Sequence, residues 1–250
     1  MSVAGLSVLI TGGGSGIGRA TAAWLVERDA KVTISGRRAD VIAQAAAAIG
    51  AYPVEGDVAV AADRVRMVEA AIAHGGRLDA LMNNAGNMLR GPIETLDEAA
   101  LLALFHANVV GAMLLTGLAV PHLAETRGSV IFVGSSHTRR AFPGASPYAA
   151  TKGAIQTLTQ VLAAELGDRG IRVNCVVPGG VLSEINIRAG LMDAAQAAAR
   201  QTAMLPMQAL DTIGTGEHVA QAVAYLLTAD WTTGAVLDVD GGLGLGTTRA

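Results

Sequence analysis

A doubly wound α/β sheet of about seven parallel strands, with helices on both faces, is the fold this sequence predicts. Two features point there at once. Short, bare apolar runs alternate with longer alanine-rich stretches of helical character along the whole chain. The runs also lack the polar alternation of a half-exposed strand, as expected where both faces of a parallel sheet are covered. A third feature is a glycine-rich turn between the first run and the first helical stretch. With 250 residues, 51% hydrophobic and 16% charged, the chain can bury a large core, and it reads as a single domain over 1–250. Aromatics make up only 3%, so Ala, Val, Leu and Ile must build that core, which suits helices packed closely on a sheet.

The elements follow in order. Ser7–Ile10 (SVLI) opens the sheet and the helix Gly16–Asp29 follows its glycines. Lys31–Ser35 (KVTIS) leads to the helix Ala39–Ala48, and Ala51–Glu55 (AYPVE) to the helix Ala61–His74. Leu78–Asn83 (LDALMN) precedes a long helix, Asp97–Leu123. Ser129–Gly134 (SVIFVG) is followed by the helix Pro147–Arg169, with Ser146 able to cap it and Pro147 suited to its first position. Arg172–Val177 (RVNCVV), the helix Glu217–Ala229 and the strand Val236–Val239 (VLDV) complete the alternation. The segment 181–210 breaks the pattern, and is either a substrate loop or two short helices that close the fold.

A net charge of −3 offers no overall attraction to nucleic acid or an anionic membrane, so neither is expected as a partner. The single cysteine, Cys175, can form no internal disulfide, and as an isolated thiol it supplies no metal-ligand cluster. The opening MSVAGLSVLI carries no basic leader and reads as a first strand rather than a secretion signal. A soluble, cytoplasmic protein is the expectation. Ala99–Ala124 runs 26 residues without a formal charge, long enough to span a bilayer. Its His106, Asn108, Pro121 and His122 point instead to a buried helix or a subunit contact.

The turn reads Thr11-Gly12-Gly13-Gly14-Ser15-Gly16-Ile17-Gly18. Glycines let backbone approach a pyrophosphate, and a helix N-terminus offers unpaired N–H groups and a positive dipole end. The glycines at 12, 16 and 18 give GxxxGxG rather than the commoner GxGxxG. Further motifs follow: Asn83-Asn84-Ala85-Gly86, Tyr148-Ala149-Ala150-Thr151-Lys152, Pro178-Gly179 and Asp240-Gly241-Gly242. Together, in order and over nearly the whole chain, they resemble the motif set of the short-chain dehydrogenase/reductase family, 3-oxoacyl-acyl-carrier-protein reductases among its members.

The resemblance implies a Rossmann-type dinucleotide site. Gly12, Gly14, Ser15, Gly16, Ile17 and Gly18 would hold the phosphates. Asp57 and Val58 would meet the adenine, and Asn84, Ala85 and Gly86 would follow the fourth strand along the cofactor. Pro178, Gly179, Val181 and Ser183 would lie beside the nicotinamide, Ser183 standing where the family commonly has threonine. Gly36 takes the place of the aspartate that selects NAD. With Arg37 next to it to receive a 2′-phosphate, NADP(H) is favoured over NAD(H). The alternative for Arg37 and Arg38 is a pair of solvated loop charges, and for Asp57 a turn-forming role.

Tyr148 and Lys152 stand four apart and share a helical face. A tyrosine can exchange a proton with a substrate oxygen, and a neighbouring ammonium is expected to lower its pKa. The resemblance implies Tyr148 as general acid/base, with both residues also touching the cofactor, Ser135 on the substrate oxygen, and Asn108 holding a water chain from the lysine. Ser135 stands 13 residues before Tyr148, the family's spacing; a length change in the loop would shift the role to Ser136. For Asn108 a helix–helix hydrogen bond is the alternative. Arg90, His137, Thr138, Arg139 and Arg140 fall in loops at the substrate end, as anion receptors or ordinary surface charges. The expected activity is reversible hydride transfer between NADP(H) and a small ketone or secondary alcohol. The alternatives are a catalytically silent nucleotide-binding regulator, or a nucleotide-sugar epimerase, for which the chain lacks a separate substrate domain. Family members are commonly tetramers, which implies a homotetramer.

Overall fold

The computed structural model describes residues 2–181 and 185–246. Its seven strands are β1 (Ser7–Thr11), β2 (Lys31–Gly36), β3 (Tyr52–Glu55), β4 (Ala80–Asn83), β5 (Ser129–Val133), β6 (Arg172–Pro178) and β7 (Val236–Val239). All pair in parallel, in the order β3-β2-β1-β4-β5-β6-β7. The predicted doubly wound sheet is therefore what forms. Its order reverses between β1 and β4, and ligands of such sheets bind beyond the strand C-termini at that switch point.

The helices are α1 (Gly16–Val26), α2 (Ala39–Ile49), α3 (Ala61–Gly75), α4 (Glu98–Phe105), α5 (Gly111–Thr126), α6 (Ser146–Leu166), α7 (Ile185–Arg188), α8 (Ala194–Met204) and α9 (Gly216–Thr228). Side chains alternate across each strand, so one sheet face takes Leu9, Leu81, Phe132 and Cys175 under α3, α5 and α6. The other takes Val8, Ile10, Ile34, Met82 and Val176 under α1, α2 and α9. The inner strands are the bare apolar runs because both their faces are buried, whereas the edge strands β3 and β7 are partly exposed.

Local expectations are corrected at two places, the long helix and the start of α6, and 181–210 takes the short-helix form of its two readings. Asp97–Leu123 is not one regular helix: a π-helical turn, His106–Val110, separates α4 from α5. Ser146 does not cap α6. The helix starts there, with Ala145 as N-cap and no side-chain cap, because Ala145 N–H already closes a turn on the Phe142 carbonyl. Pro147 consequently sits one position further in, within the first turn, where its missing N–H costs nothing. Segment 181–210 carries α7 and α8 over the strand ends, and α8 is tied down where Gln201 Nε2 donates to the carbonyls of Gly180 and Gly214, at 3.2 and 2.9 Å.

Glu98–Thr126 is 29 residues long and contains an 18-residue stretch with a mean hydropathy of 1.8, enough by length and composition to cross a membrane. Its inner row, including Leu104, Leu115 and Leu123, is buried in the core. Its outer row, Leu102, Val110, Met113, Leu114 and Leu118, is exposed, so the expectation of a buried helix holds for one side only.

Candidate active site

A long cleft opens along the C-terminal edge of the sheet, from the glycine turn after β1 to the start of α6, with about 1570 Å³ of open space including its mouth. At one end Gly12, Ser15, Gly16 and Ile17 line it. Gly12 and Gly16 have φ of 67° and 54°, the left-handed region that glycine adopts without strain. The first turn of α1 carries no acidic residue, and Ser15 makes no side-chain cap, so its N–H groups keep the positive end of the helix unmatched. Gly14 and Gly18 lie off the cleft lining. Gly14 packs on Val41 and Ile42, and a Cβ on Gly18 would collide with the Asn84 amide and the Gly12 carbonyl. Gly18 therefore lets strand, turn and helix close on one another.

Sequence reasoning passed over the role of Thr11. Its hydroxyl accepts from the N–H groups of Asn84 and Ala85 at 3.1 and 3.0 Å, while Asn84 Nδ2 donates to the Thr11 carbonyl at 2.8 Å. This clasp holds β1 and β4 together at the switch point, and Asn84, Ala85 and Gly86 line the middle of the cleft. On the flank are Arg37, Asp57 and Val58. Asp57 divides its carboxylate: Oδ1 accepts from Ala59 N–H at 2.9 Å, the turn-forming role, and Oδ2 faces Arg37 at 3.9 Å. Arg37, with a side chain 58% exposed, also donates to Asn87 Oδ1 at 3.3 Å. Pro178, Gly179 and Val181 form the opposite wall; Ser183 lies outside the described residues.

The other end is drier. Tyr148 and Lys152 project from the buried face of α6 with Thr151 and Ile155, and Lys152 Nζ donates to the Val133 carbonyl at 2.7 Å. Ser135, at the end of β5, hydrogen-bonds the Tyr148 side chain, and the geometry gives this place to Ser135 rather than the deeply buried Ser136. Asn108 is 3% exposed and lies just behind the lining. Its Oδ1 accepts from Asn87 N–H at 2.7 Å, and its Nδ2 donates to the Asn87 carbonyl and Thr151 Oγ1 at 3.0 and 3.1 Å. It ties the loop after β4 to α6, as a satisfied buried amide should.

Lys152 does not lower the pKa of Tyr148 as expected. Burial pushes the phenol up to about 12, against smaller opposing effects from the Ser135 hydrogen bond and the Arg90 charge. Burial likewise pushes Lys152 down to about 8. Its ammonium lies 5.6 Å from the ring centroid, and the loss of water penalises the charged form of each group.

His137 and Arg90 complete this end. Arg90 Nη2 lies 3.0 Å from His137 Nε2, and His137 Nδ1 lies 3.0 Å from Ser135 Oγ. Arg90 can only donate, so Nε2 accepts and the proton of the neutral imidazole sits on Nδ1. Ser135 Oγ then accepts from His137, and its own proton is free for the phenol side. Burial first, then the charges of Arg90, Arg200 and Lys152, hold the imidazole down to about 4, which keeps that tautomer neutral. The four polar groups form one directed chain. Arg139 and Arg140 take no part: Arg139 pairs with Asp238 and Gln156, and Arg140 donates to the Met207 carbonyl.

Comparison with known proteins agrees with this architecture. The short chain dehydrogenase family profile matches residues 7–193. An uncharacterized oxidoreductase of Methylorubrum extorquens is 36% identical over 247 residues, covering 96% of this chain and 98% of its own. Glucose 1-dehydrogenase of Gluconobacter oxydans is 33% identical over 252 aligned positions, covering 97% and 93%. Among solved structures, 3-ketoacyl-(acyl-carrier-protein) reductase from Brucella melitensis, complexed with NADH, superimposes with a TM-score of 0.89 at 29% identity, covering 97% of this chain and all of that one. The chain belongs to the short-chain dehydrogenase family of oxidoreductases.

Proposed function

We propose that this enzyme moves a hydride between NADP(H) and a small ketone or secondary alcohol, with Tyr148 exchanging the proton at the substrate oxygen. The observation that carries the reading is one continuous cleft that joins the uncapped first turn of α1 to the buried Tyr148–Ser135 pair. A dinucleotide fits this surface on two counts. The first turn of α1, entered through Ser15, presents unmatched N–H groups where a pyrophosphate would lie. The flank presents the Asp57 carboxylate and the Arg37 fork where an adenosine would lie. Asn84–Gly86 and Pro178–Val181 would border the remainder. When bound, the nicotinamide ring supplies the two-electron donor or acceptor.

The chain itself manages the proton. With its pKa raised, Tyr148 keeps its hydrogen through neutral pH, so it begins as an acid suited to a developing alkoxide. Ser135, held as an acceptor by His137, turns its own O–H toward the same oxygen. Lys152 and Asn108 fix α6 and the loop after β4 around it. In the reverse direction the phenol oxygen takes the alcohol proton. NADP(H) is preferred because Gly36 places no carboxylate beside the ribose and Arg37 lies half in solvent with a fork for a 2′-phosphate. The exposed row of α4 and α5 fits a second copy of the chain, in a homotetramer that light scattering would detect.

The test is a cofactor-dependent screen of alcohols and carbonyls with both cofactors, followed by nicotinamide absorbance. Turnover with NADP(H) preferred is expected. Tight cofactor binding with no turnover on any member would instead make the protein a silent regulator.

A further inference from the structure

Among the described residues, the substrate end of the cleft is positively charged without a counter-charge. Arg90 and His137 line it from the loops after β4 and β5, and Arg200 lines it from α8. Arg90 spends one Nη2 bond on a neutral imidazole, and its Nε has no acceptor among the described residues. Arg200 forms no hydrogen bond or ion pair with a described residue. The two are close enough that Arg200 lowers the pKa of Arg90, in addition to the larger effect of burial. Among the described lining residues the only carboxylate is Asp57, which faces Arg37 at the other end. Bringing like charges together in a half-dry cleft is unfavourable, and an anion would reverse that.

We infer that the substrate carries its own anionic oxygen group, seated between Arg90 and Arg200 while its carbonyl or alcohol carbon meets Tyr148: it is an oxo acid or a hydroxy acid. This rests on the oxidoreductase reading above. The spacing sets the size. Arg90 is separated from Ser135 by the width of one imidazole, so anion and reacting oxygen belong to one short molecule rather than to two ends of a long one. The planar guanidinium forks match a carboxylate in particular. Met88, Met192 and Met204 complete the wall; these unbranched side chains adapt to an aliphatic body of varied shape. Cation density at the mouth also draws an anion in.

The experiment compares matched pairs: short 3- and 4-hydroxy acids against their methyl esters, with hydroxyalkyl sulfonates and phosphates as further anions, each with NADP⁺. The acids should exceed their esters in kcat/KM by tenfold or more, and Arg200→Gln should reduce that ratio by about tenfold. The sulfonate and phosphate arms identify the preferred anion. Esters or neutral alcohols turned over as well as the acids would overturn the inference and leave the oxidoreductase reading standing. No turnover of any compound would remove that reading and the inference with it. Cofactor affinity, read from reduced nicotinamide fluorescence, supplies a separate check. A tenfold loss in Arg200→Gln would assign the charge to the cofactor and overturn the inference as well.

Discussion

The two ends of the cleft are built on opposite principles. The glycine-turn end uses backbone N–H groups, a helix dipole and an arginine half in water. The Tyr148 end withdraws a phenol, an amine and an imidazole from water and shifts all three pKa values, to about 12, 8 and 4. The first arrangement is suited to a charged group whose own form does not change. The second stores electrostatic work in groups whose protonation matters. One is suited to binding and the other to chemistry, and substitutions at the two ends should therefore fail differently.

The largest effect is expected at the dry end. Tyr148→Phe keeps the ring in place and removes the only phenolic proton there, so kcat should fall by about 10³-fold, while cofactor affinity, measured by fluorescence titration, stays within a few-fold. Equal loss of both would erase the distinction between the ends.

Next comes His137. Its pKa in the folded chain lies at about 4, below the ordinary 6.5, so between those values the unfolded chain binds more protons. The stability it contributes is present above pH 6.5 and is lost as pH falls through 4. The loss should be on the order of 2 kcal/mol after allowance for partial solvent screening, read from urea midpoints, and should vanish in His137→Phe. Ring nitrogen NMR shifts should show the proton on Nδ1, and Arg90→Met should let it move to Nε2. An unchanged tautomer in that variant would break the directed chain from Arg90 to Ser135.

The smallest effect belongs to the wet end. Arg37→Ala should weaken NADP(H) by about tenfold and NAD(H) much less, since a half-exposed arginine contributes a screened contact. Equal weakening of both cofactors would deny the phosphate contact and make Arg37 a general adenosine contact.

The sequence revealed the two ends unequally for the same reason. The turn, its helix and the seven strands are local in sequence, so apolar runs and glycine spacing exposed them. The Tyr148–Lys152 pair was legible because four residues make one helical turn. The contacts of Arg90 and His137 bridge 47 positions, and no periodicity announces such a meeting. Arg200 was hidden within a segment whose helices lacked the pattern of the others. The direction of the Tyr148 shift was misjudged because a sequence gives the neighbour's charge but not the burial that outweighs it.

The π-helical turn at His106–Val110 has a consequence for anyone seeking to stabilise this protein. Removing one residue there would restore an unbroken α-helix and look like an improvement in regularity. It would also rotate α4 against α5 by about 100°, although α5 cannot adjust at Gly111, whose Cα backs onto the Val58 carbonyl with no room for a side chain. The Asn108 amide would leave Asn87 and Thr151, and the loop after β4 would lose its tie to α6. At this turn a helical irregularity and the position of one amide are the same feature, so the first cannot be repaired without giving up the second.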